Sequence, residues 1–332
     1  MKWGLVGAST IASEHVIAAI RAQGHEVASV LSGDAGRGAD YAARHGIPAS
    51  VTDLDALLAS ADIGAVYIST TNEKHHPQAL TAIAAGKHVL CEKPLAMTVA
   101  DAAEMARAAA ARGVVFATNH HLRNAGAHLA IRALIAEGRI GRVLSVRVFH
   151  AVHLPPHLQG WRINDAGAGG GVIPDITVHD ADTVRFYLDE DPVEVVAIAG
   201  VSGMGAGVED SVMSVWSMPS GAMVQTHESF THPFAGSGVE VHGAEGSIFG
   251  RGIMTQKPVG ELELVDATGR RAVPFDTHDL YARSLGRFAE AVAGRGRPSA
   301  DGVDGVKSLA VAMAVREAAR TGRAVRVDYE GF

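Results

Sequence analysis

Two rhythms of apolar and polar residues divide this chain near residue 120. Up to that point, apolar runs of strand length at 3–7, 27–31, 63–70, 89–91 and 114–118 alternate with stretches of helical spacing at 11–22, 37–44, 54–59, 77–85 and 99–112. A short unbroken run marks a strand buried on both faces, and recurrence every three or four positions marks a helix with one apolar face. Boundary residues agree. Thr98 with Asp101 three positions on resembles a capping box, and Gly24, Gly46, Gly86 and Gly113 stand where helices should stop. Strands alternating with helices connect by right-handed crossovers and build a parallel sheet, so 1–120 reads as an α/β domain.

After residue 120 the rhythm changes. A helix at 125–137 leads through GRIGR into a strand at 143–152, then an irregular stretch rich in Gly, Pro and His, then a second helix at about 174–188. Strand-like segments follow without helices between them, at 193–201, 211–218, 222–229, 239–242, 247–250 and 261–265. MPSGAM, between the second and third of these, reads as a hairpin turn. Helices at 280–292 and 303–321 and a short strand at 324–327 close the chain. Residues 121–332 therefore read as an α+β domain on a mainly antiparallel open sheet.

Composition narrows the class. A chain of 332 residues is long enough for two domains with separate cores. Hydrophobic residues make up 47% and charged residues 20%, the balance of a soluble globular protein. A net charge of -7 leaves no basic footprint for nucleic acid, and no apolar run approaches membrane-spanning length. The single cysteine, Cys91, excludes an internal disulfide and fits a reducing compartment. A first strand starting at Lys2 or Trp3 leaves no room for a signal peptide, so a cytoplasmic location is expected. The sequence leaves the oligomeric state open.

Candidate chemistry begins at the first strand-to-helix turn, WGLVGASTIASEHV. A dinucleotide-binding Rossmann domain carries Gly-x-Gly-x-x-Gly at this place; here Gly7 keeps the first glycine, while Ser9 and Ala12 hold the other two positions. Ser9 can donate a hydroxyl to a phosphate oxygen, and the helix start near Ile11 points free N–H groups at the same spot. On this stretch alone, a pyrophosphate cradle and a plain strand-helix corner are both open. An NAD-binding domain places an acidic residue about 20 positions further on, for the ribose 2′-OH. Counting from Ala12 reaches Ser32, then Gly33 and Arg37, a hydroxyl and a guanidinium that suit a 2′-phosphate and favour NADP(H). Asp34, swung inward, would repel that phosphate, and Arg37 also reads as a solvated first-turn residue.

Two further stretches carry chemistry. CEKPL puts Glu92, Lys93 and Pro94 at the carboxyl end of a buried strand, where open α/β sheets bind ligands; a salt-bridged loop lysine is the plainer reading. In GGGVIPDITVHDAD, Asp175 and His179 stand four apart on a helix, a spacing that lets the carboxylate fix the imidazole's tautomer for acid-base work. A core histidine and an Asp interacting with the helix dipole compete with that reading. Metal binding with His150, His153 and His157 ranks below all three, because Pro155 and Pro156 interrupt those histidines and no zinc-type spacing is present.

The fingerprint turn, STTNEKHH after the 63–70 strand, CEKPL after the 89–91 strand and GGGVIPDITVHDAD in the second half form a set that resembles the Gfo/Idh/MocA family of sugar and inositol oxidoreductases, over essentially the full length. The resemblance implies a cofactor site in which Gly7 and Ser9, Thr10, Ile11 and Ala12 line the pyrophosphate turn and Ser32, Gly33 and Arg37 hold the 2′-phosphate. Thr70, Thr71, Asn72 and His75 would border the ribose and nicotinamide, with Glu92 and Lys93 beneath them. Asn119 would sit at the domain junction, while Trp161, Arg162 and Tyr281 would reach back from the second domain to cover the cofactor. Asp175 and His179 would face the sugar. The fingerprint is poorer in glycine than the family's usual one, and Ala12 is expected to loosen or tilt cofactor binding.

The expected reaction is reduction of a sugar ketone with NADPH. His179 would donate the proton, Asp175 would orient it, and Lys93 would polarise the carbonyl, with Lys93 and His179 able to exchange roles because both can donate. With aromatic residues at 5%, stacking platforms are sparse, so the partner is a small sugar rather than a polysaccharide. The rivals are an NAD-dependent inositol or aldose dehydrogenase of the same family and a non-catalytic dinucleotide-binding module.

Overall fold

The computed structural model describes all of residues 1–332, and the chain forms two compact units. The first holds a six-stranded sheet built from β1 (Lys2–Val6), β2 (Glu26–Leu31), β3 (Ala49–Val51), β4 (Ile63–Ile68), β5 (His88–Cys91) and β6 (Phe116–Thr118). Its order is β3-β2-β1-β4-β5-β6 and every pairing is parallel. This is the doubly wound arrangement, whose order reverses between β1 and β4 and leaves a crevice at the carboxyl ends of those strands. The crossovers are α1 (Ile17–Ala22), α2 (Ala35–His45), α3 (Leu54–Leu58), α4 (Asn72–Ala84) and α5 (Val99–Arg112). Thr98 caps α5 by accepting from the Asp101 N–H, and Gly46 and Gly113 end α2 and α5 in the left-handed conformation, as their positions in the chain predict.

The second unit contains α6 (Gly126–Ala136), β7 (Val143–Ala151), α7 (Trp161–Asn164) and α8 (Val178–Leu188). Strands β8 (Glu194–Gly200), β9 (Ser211–Ser217), β10 (Met223–Ser229), β11 (Ser237–Gly243), β12 (Gly246–Arg251), β13 (Glu261–Asp266), β14 (Gly269–Ala272) and β15 (Val325–Arg326) join β7 in a nine-stranded sheet. The order is β14-β13-β12-β11-β7-β10-β9-β8-β15, and only the β10–β7 pair is parallel. One face alternates into the core through Val146 and Val148 of β7, Val212 and Trp216 of β9 and Val224 of β10. α8 packs on β7, and the π turn ahead of α8 packs on β10.

Two expectations change. The chain does not divide once at 120: the units are Met1–His121 with Tyr281–Val306, and Leu122–Leu280 with Lys307–Phe332. The reason is packing in the first unit. From α9 (Leu280–Val292), Phe288 lies against Trp3 of β1 with ring centroids 5.1 Å apart. At the start of α10 (Gly302–Thr321), any Cβ on Gly302 would meet the Phe116 ring at 2.4 Å, so this approach requires glycine. The strands β3 and β14 also escape sequence reading. Both are edge strands, three and four residues long and largely exposed, so they carry no apolar run. No helix is long and apolar enough to cross a membrane.

Candidate active site

At the carboxyl end of β1 the chain turns through Gly7, whose φ of +115° favours glycine; an added Cβ would also lie 3.2 Å from the Ser69 carbonyl. Ser9 Oγ sits 2.7 Å from Ser69 Oγ and accepts the Ala12 N–H at 3.2 Å, so one hydroxyl ties the β1 turn to the β4 turn across the switch point. The helical run that follows begins at Thr10, which is exposed, and passes through a π turn at Ala12–Val16 before α1. Ala12 is fully buried, so its methyl group fills the close contact that glycine would otherwise allow. An exposed helix start, a left-handed glycine and a hydroxyl at the crevice fit a dinucleotide pyrophosphate.

The end of β2 settles the orientation of Asp34. Its Oδ1 accepts the Arg37 N–H at 2.6 Å and caps α2, so the carboxylate is spent on the helix start. Arg37 turns its guanidinium toward the fingerprint, where Nη2 donates to the Ala8 carbonyl at 2.7 Å. Ser32 is buried beside this turn, and Gly33 is exposed. The group presents a hydroxyl and a cation, with the nearby acid turned away.

Beyond β4, Thr70 Oγ1 donates to Gln78 Oε1 and Thr71 Oγ1 to Glu73 Oε1, both at 2.7 Å, while Asn72 opens α4. His75 has a structural part in this region. It is buried, with Nδ1 2.8 Å from the Pro94 carbonyl and Nε2 3.2 Å from the Thr70 carbonyl. Both ring nitrogens are engaged with backbone, so His75 braces the turn after β4 against the one after β5. Burial lowers its pKa. Glu92 and Lys93 are half-buried at the end of β5, and the Lys93–Pro94 peptide bond is cis. Glu92 Oε1 accepts from Asn119 Nδ2 at 2.6 Å and from the Tyr67 hydroxyl. Burial, then the adjoining Glu92 carboxylate, pushes the Tyr67 pKa well up, so Tyr67 stays a donor. Asn119 is thus a buried anchor of Glu92 inside the first unit.

Tyr281 also differs from expectation. It belongs to the first unit, not the second, and stacks between His15 (4.6 Å between centroids) and His121 (5.5 Å). Because α9 is separated in sequence from the Rossmann strands by the whole of the second sheet, nothing local announces this return.

In the second unit, Asp175 lies on a π turn at Ile173–Thr177 and His179 on the first turn of α8. The widened turn breaks the regular four-residue stacking that an uninterrupted helix from 174 would give. Asp175 Oδ1 lies 3.5 Å from Arg162 Nε, and the Arg162 guanidinium sits 4.7 Å from the Trp161 ring centroid. Trp161 and Arg162 of α7 therefore bear on the π turn within their own unit. His179 is buried, and its ring centroid lies 6.5 Å from that of His150. His153 and His157 are exposed. Beneath His150 lie two residues the sequence reading did not single out, Asp180 and Glu228, both fully buried. The available signal was a strand, β10, whose inward positions run Val224, Thr226, Glu228, with an acid where an apolar residue belongs.

Each unit corresponds to a known module. Residues 1–120 match the model of an oxidoreductase family with an NAD-binding Rossmann fold, and residues 128–249 match the GFO/IDH/MocA C-terminal domain. The chain belongs to the Gfo/Idh/MocA family. This family member is an oxidoreductase, and its Rossmann unit binds a nicotinamide dinucleotide. It is 58% identical to a 1,5-anhydro-D-fructose reductase of Ensifer adhaerens over 98% of both chains. It is 30% identical to a D-xylose 1-dehydrogenase (NADP(+)) of Haloferax volcanii, over 99% of this chain and the whole of the other. Among solved structures, an aldose-aldose oxidoreductase from Caulobacter crescentus complexed with glycerol superposes with a TM-score of 0.90 at 26% identity, covering 98% of this chain and 99% of the other.

Proposed function

We propose that this oxidoreductase reduces the C2 carbonyl of 1,5-anhydro-D-fructose to give 1,5-anhydro-D-mannitol, with NADPH as its cofactor, in the cytoplasm. The observation that carries the reading is the 58% identity, over nearly the full length, to the Ensifer reductase. When bound, the reduced nicotinamide supplies the hydride.

The chain's own residues do the rest. Gly7, Ser9, Thr10, Ile11 and Ala12 hold the pyrophosphate at the switch point, and Ser32, Gly33 and Arg37 take the 2′-phosphate. Asp34 does not oppose that phosphate, because it is committed to the α2 cap. Thr70, Thr71 and Asn72 border the ribose, Glu92 is held beneath by Tyr67 and Asn119, and Trp161 helps exclude water. Lys93 polarises the ketone and stabilises the alkoxide oxygen that forms at C2. His179 gives that oxygen its proton, completing the alcohol, while Asp175, anchored by Arg162, orients the turn that carries His179. The deciding experiment follows NADPH oxidation spectrophotometrically with 1,5-anhydro-D-fructose present. Rapid oxidation is expected. No oxidation, with NAD-dependent turnover of an inositol or aldose instead, would replace this reading with the dehydrogenase one.

A further inference from the structure

The core behind His179 contains more acid-base groups than the reduction needs. On the inward face of the nine-stranded sheet, His150 of β7 and Glu228 of β10 are direct register partners. α8 lays Asp180 over them, with His150 Nδ1 2.8 Å from Asp180 Oδ1. Asp180 and Glu228 are fully buried, whereas the His150 side chain keeps 12% of its surface exposed.

The hydrogen bonds around Glu228 run in one direction. Trp216 Nε1 has only a hydrogen to give, and gives it to Ser214 Oγ at 2.7 Å. Thr226 gives its one hydrogen to Glu228 Oε2 at 3.2 Å, so the Ser214 hydroxyl is the donor to Thr226 Oγ1, 2.7 Å away. That chain satisfies Oε2. Glu228 Oε1 and Asp180 Oδ2 have no aligned N–H or O–H donor, although the Thr177 hydroxyl lies near Glu228, and the two carboxyl groups adjoin each other. Two acceptors facing one another out of water hold together through one shared proton. The pair then carries a single negative charge, and His150 is the cation beside it.

We propose that His150, held as a proton donor by the single-proton Asp180–Glu228 pair, resupplies His179 after each reduction. The inference rests on the reading of His179 as the donor to the sugar. With Nδ1–H committed to Asp180, His150 passes the proton on its Nε2, directly or through a bridging water, to the nitrogen that His179 has emptied on a ring whose centroid lies 6.5 Å away. His150 is left neutral with its Nδ1–H in place and regains a proton from solvent. The carboxyl proton does not move, and one proton is consumed per alcohol formed. Facing His150 are His179 and Asp180 of α8, Glu228 of β10 and the buried His128 of α6. Burial raises the pKa of both carboxyl groups, which supports a proton kept at neutral pH.

The first test does not depend on activity. The infrared spectrum of the full chain at neutral pH is expected to show a buried carboxylic-acid C=O band that persists in His179→Ala and disappears in Glu228→Gln. A spectrum without that band overturns the shared proton. The second test is kinetic, in the reductive direction. His150→Ala is expected to lower kcat about 10- to 100-fold with little change in sugar KM, and added imidazole to restore part of it. The alkaline limb of its kcat–pH profile should move to lower pH. Should His150→Ala not fold, His150→Gln, which keeps a donor for Asp180, gives the same kcat loss without rescue. Asp180→Asn should reproduce the shifted limb; Glu228→Gln, which keeps a hydrogen between the two residues, should not. Wild-type pH profiles and kcat in the His150 variants overturn the relay. Absence of sugar reduction in the wild-type enzyme overturns the proposed function instead, and leaves the infrared result standing.

Discussion

In the first unit the Glu92 carboxylate is met by two donors, the Tyr67 hydroxyl and the Asn119 amide, whereas in the second Asp180 and Glu228 meet each other. The two solutions follow from the sheets. β4 and β5 are buried on both faces, so the acid that ends β5 emerges at the strand's carboxyl end, where a tyrosine and an asparagine reach it from neighbouring strands. β7, β9 and β10 bury one face only, and their inward polar residues point into a closed layer beneath α8. A carboxylate supplied with donors is a fixed anchor; in the proposed pair each carboxyl group has a donor on one oxygen only, and the remaining two oxygens share a proton. The same residue type thus positions a site in one unit and stores acid in the other.

Disabling each unit's central residue gives the largest expected effect. His179→Ala should lower kcat about 10²–10⁴-fold, the range for a lost general acid, and Lys93→Ala about 10²–10³-fold, the range for a lost oxyanion donor. Steady-state kinetics with the ketose measures both, and unchanged turnover in the two variants removes the proposed chemistry. Next comes the cofactor end of the first unit. Arg37→Ala should raise the KM for NADPH about 10- to 100-fold, as for a lost charge-assisted hydrogen bond, while leaving the KM for NADH in place. An equal rise for both cofactors would mean that Arg37 serves the fingerprint turn alone.

The buried groups of the second unit titrate in opposite senses. His128 Nε2 donates to the Ile253 carbonyl and its Nδ1 accepts from the Tyr187 hydroxyl, and burial pushes its pKa from 6.5 down to about 4. The native state keeps it neutral while the unfolded chain takes up a proton below pH 6.5, so stability falls as the pH drops from 6.5 toward 4, by about 3 kcal/mol in all. For Asp180 and Glu228 the native pKa is raised instead. The native state then holds a proton that the unfolded chain has released, and stability falls as the pH rises above the ordinary carboxyl range, about 4. Thermal melts between pH 4 and 8 separate the two. His128→Gln should flatten the acid side and Glu228→Gln the neutral side; identical pH dependence in all three proteins contradicts both assignments. The smallest effect is expected at the anchor. Tyr67→Phe leaves Asn119 in place and should cost about 1 kcal/mol in a denaturant titration.

The candidate residues were picked out because they sit at places that local pattern marks. Gly7 follows an apolar run and Lys93 and Pro94 follow another, whereas the π turn that separates Asp175 from the helix carrying His179 left no mark in the spacing. His75 was legible as a polar residue near the crevice but not as a brace, because its partners, the Thr70 and Pro94 carbonyls, are backbone atoms with no sequence signature. Asp34 gave the opposite difficulty. Its charge is plain in the sequence, but whether it faces a phosphate or caps a helix depends on one side-chain torsion, decided by the start of α2.

Hydrophobic periodicity by itself determined the two sheets, their parallel and mainly antiparallel character and the turns at their strand ends, because burial on one face or two writes a period into the chain. The tertiary structure decided what no period records. It returned Tyr281–Val306 to the first unit, turned Asp34 onto the start of α2, and set Asp180 of a helix against Glu228 of a distant strand. Those contacts join residues far apart in sequence, and each depends on how side chains fill one shared space rather than on the neighbours along the chain.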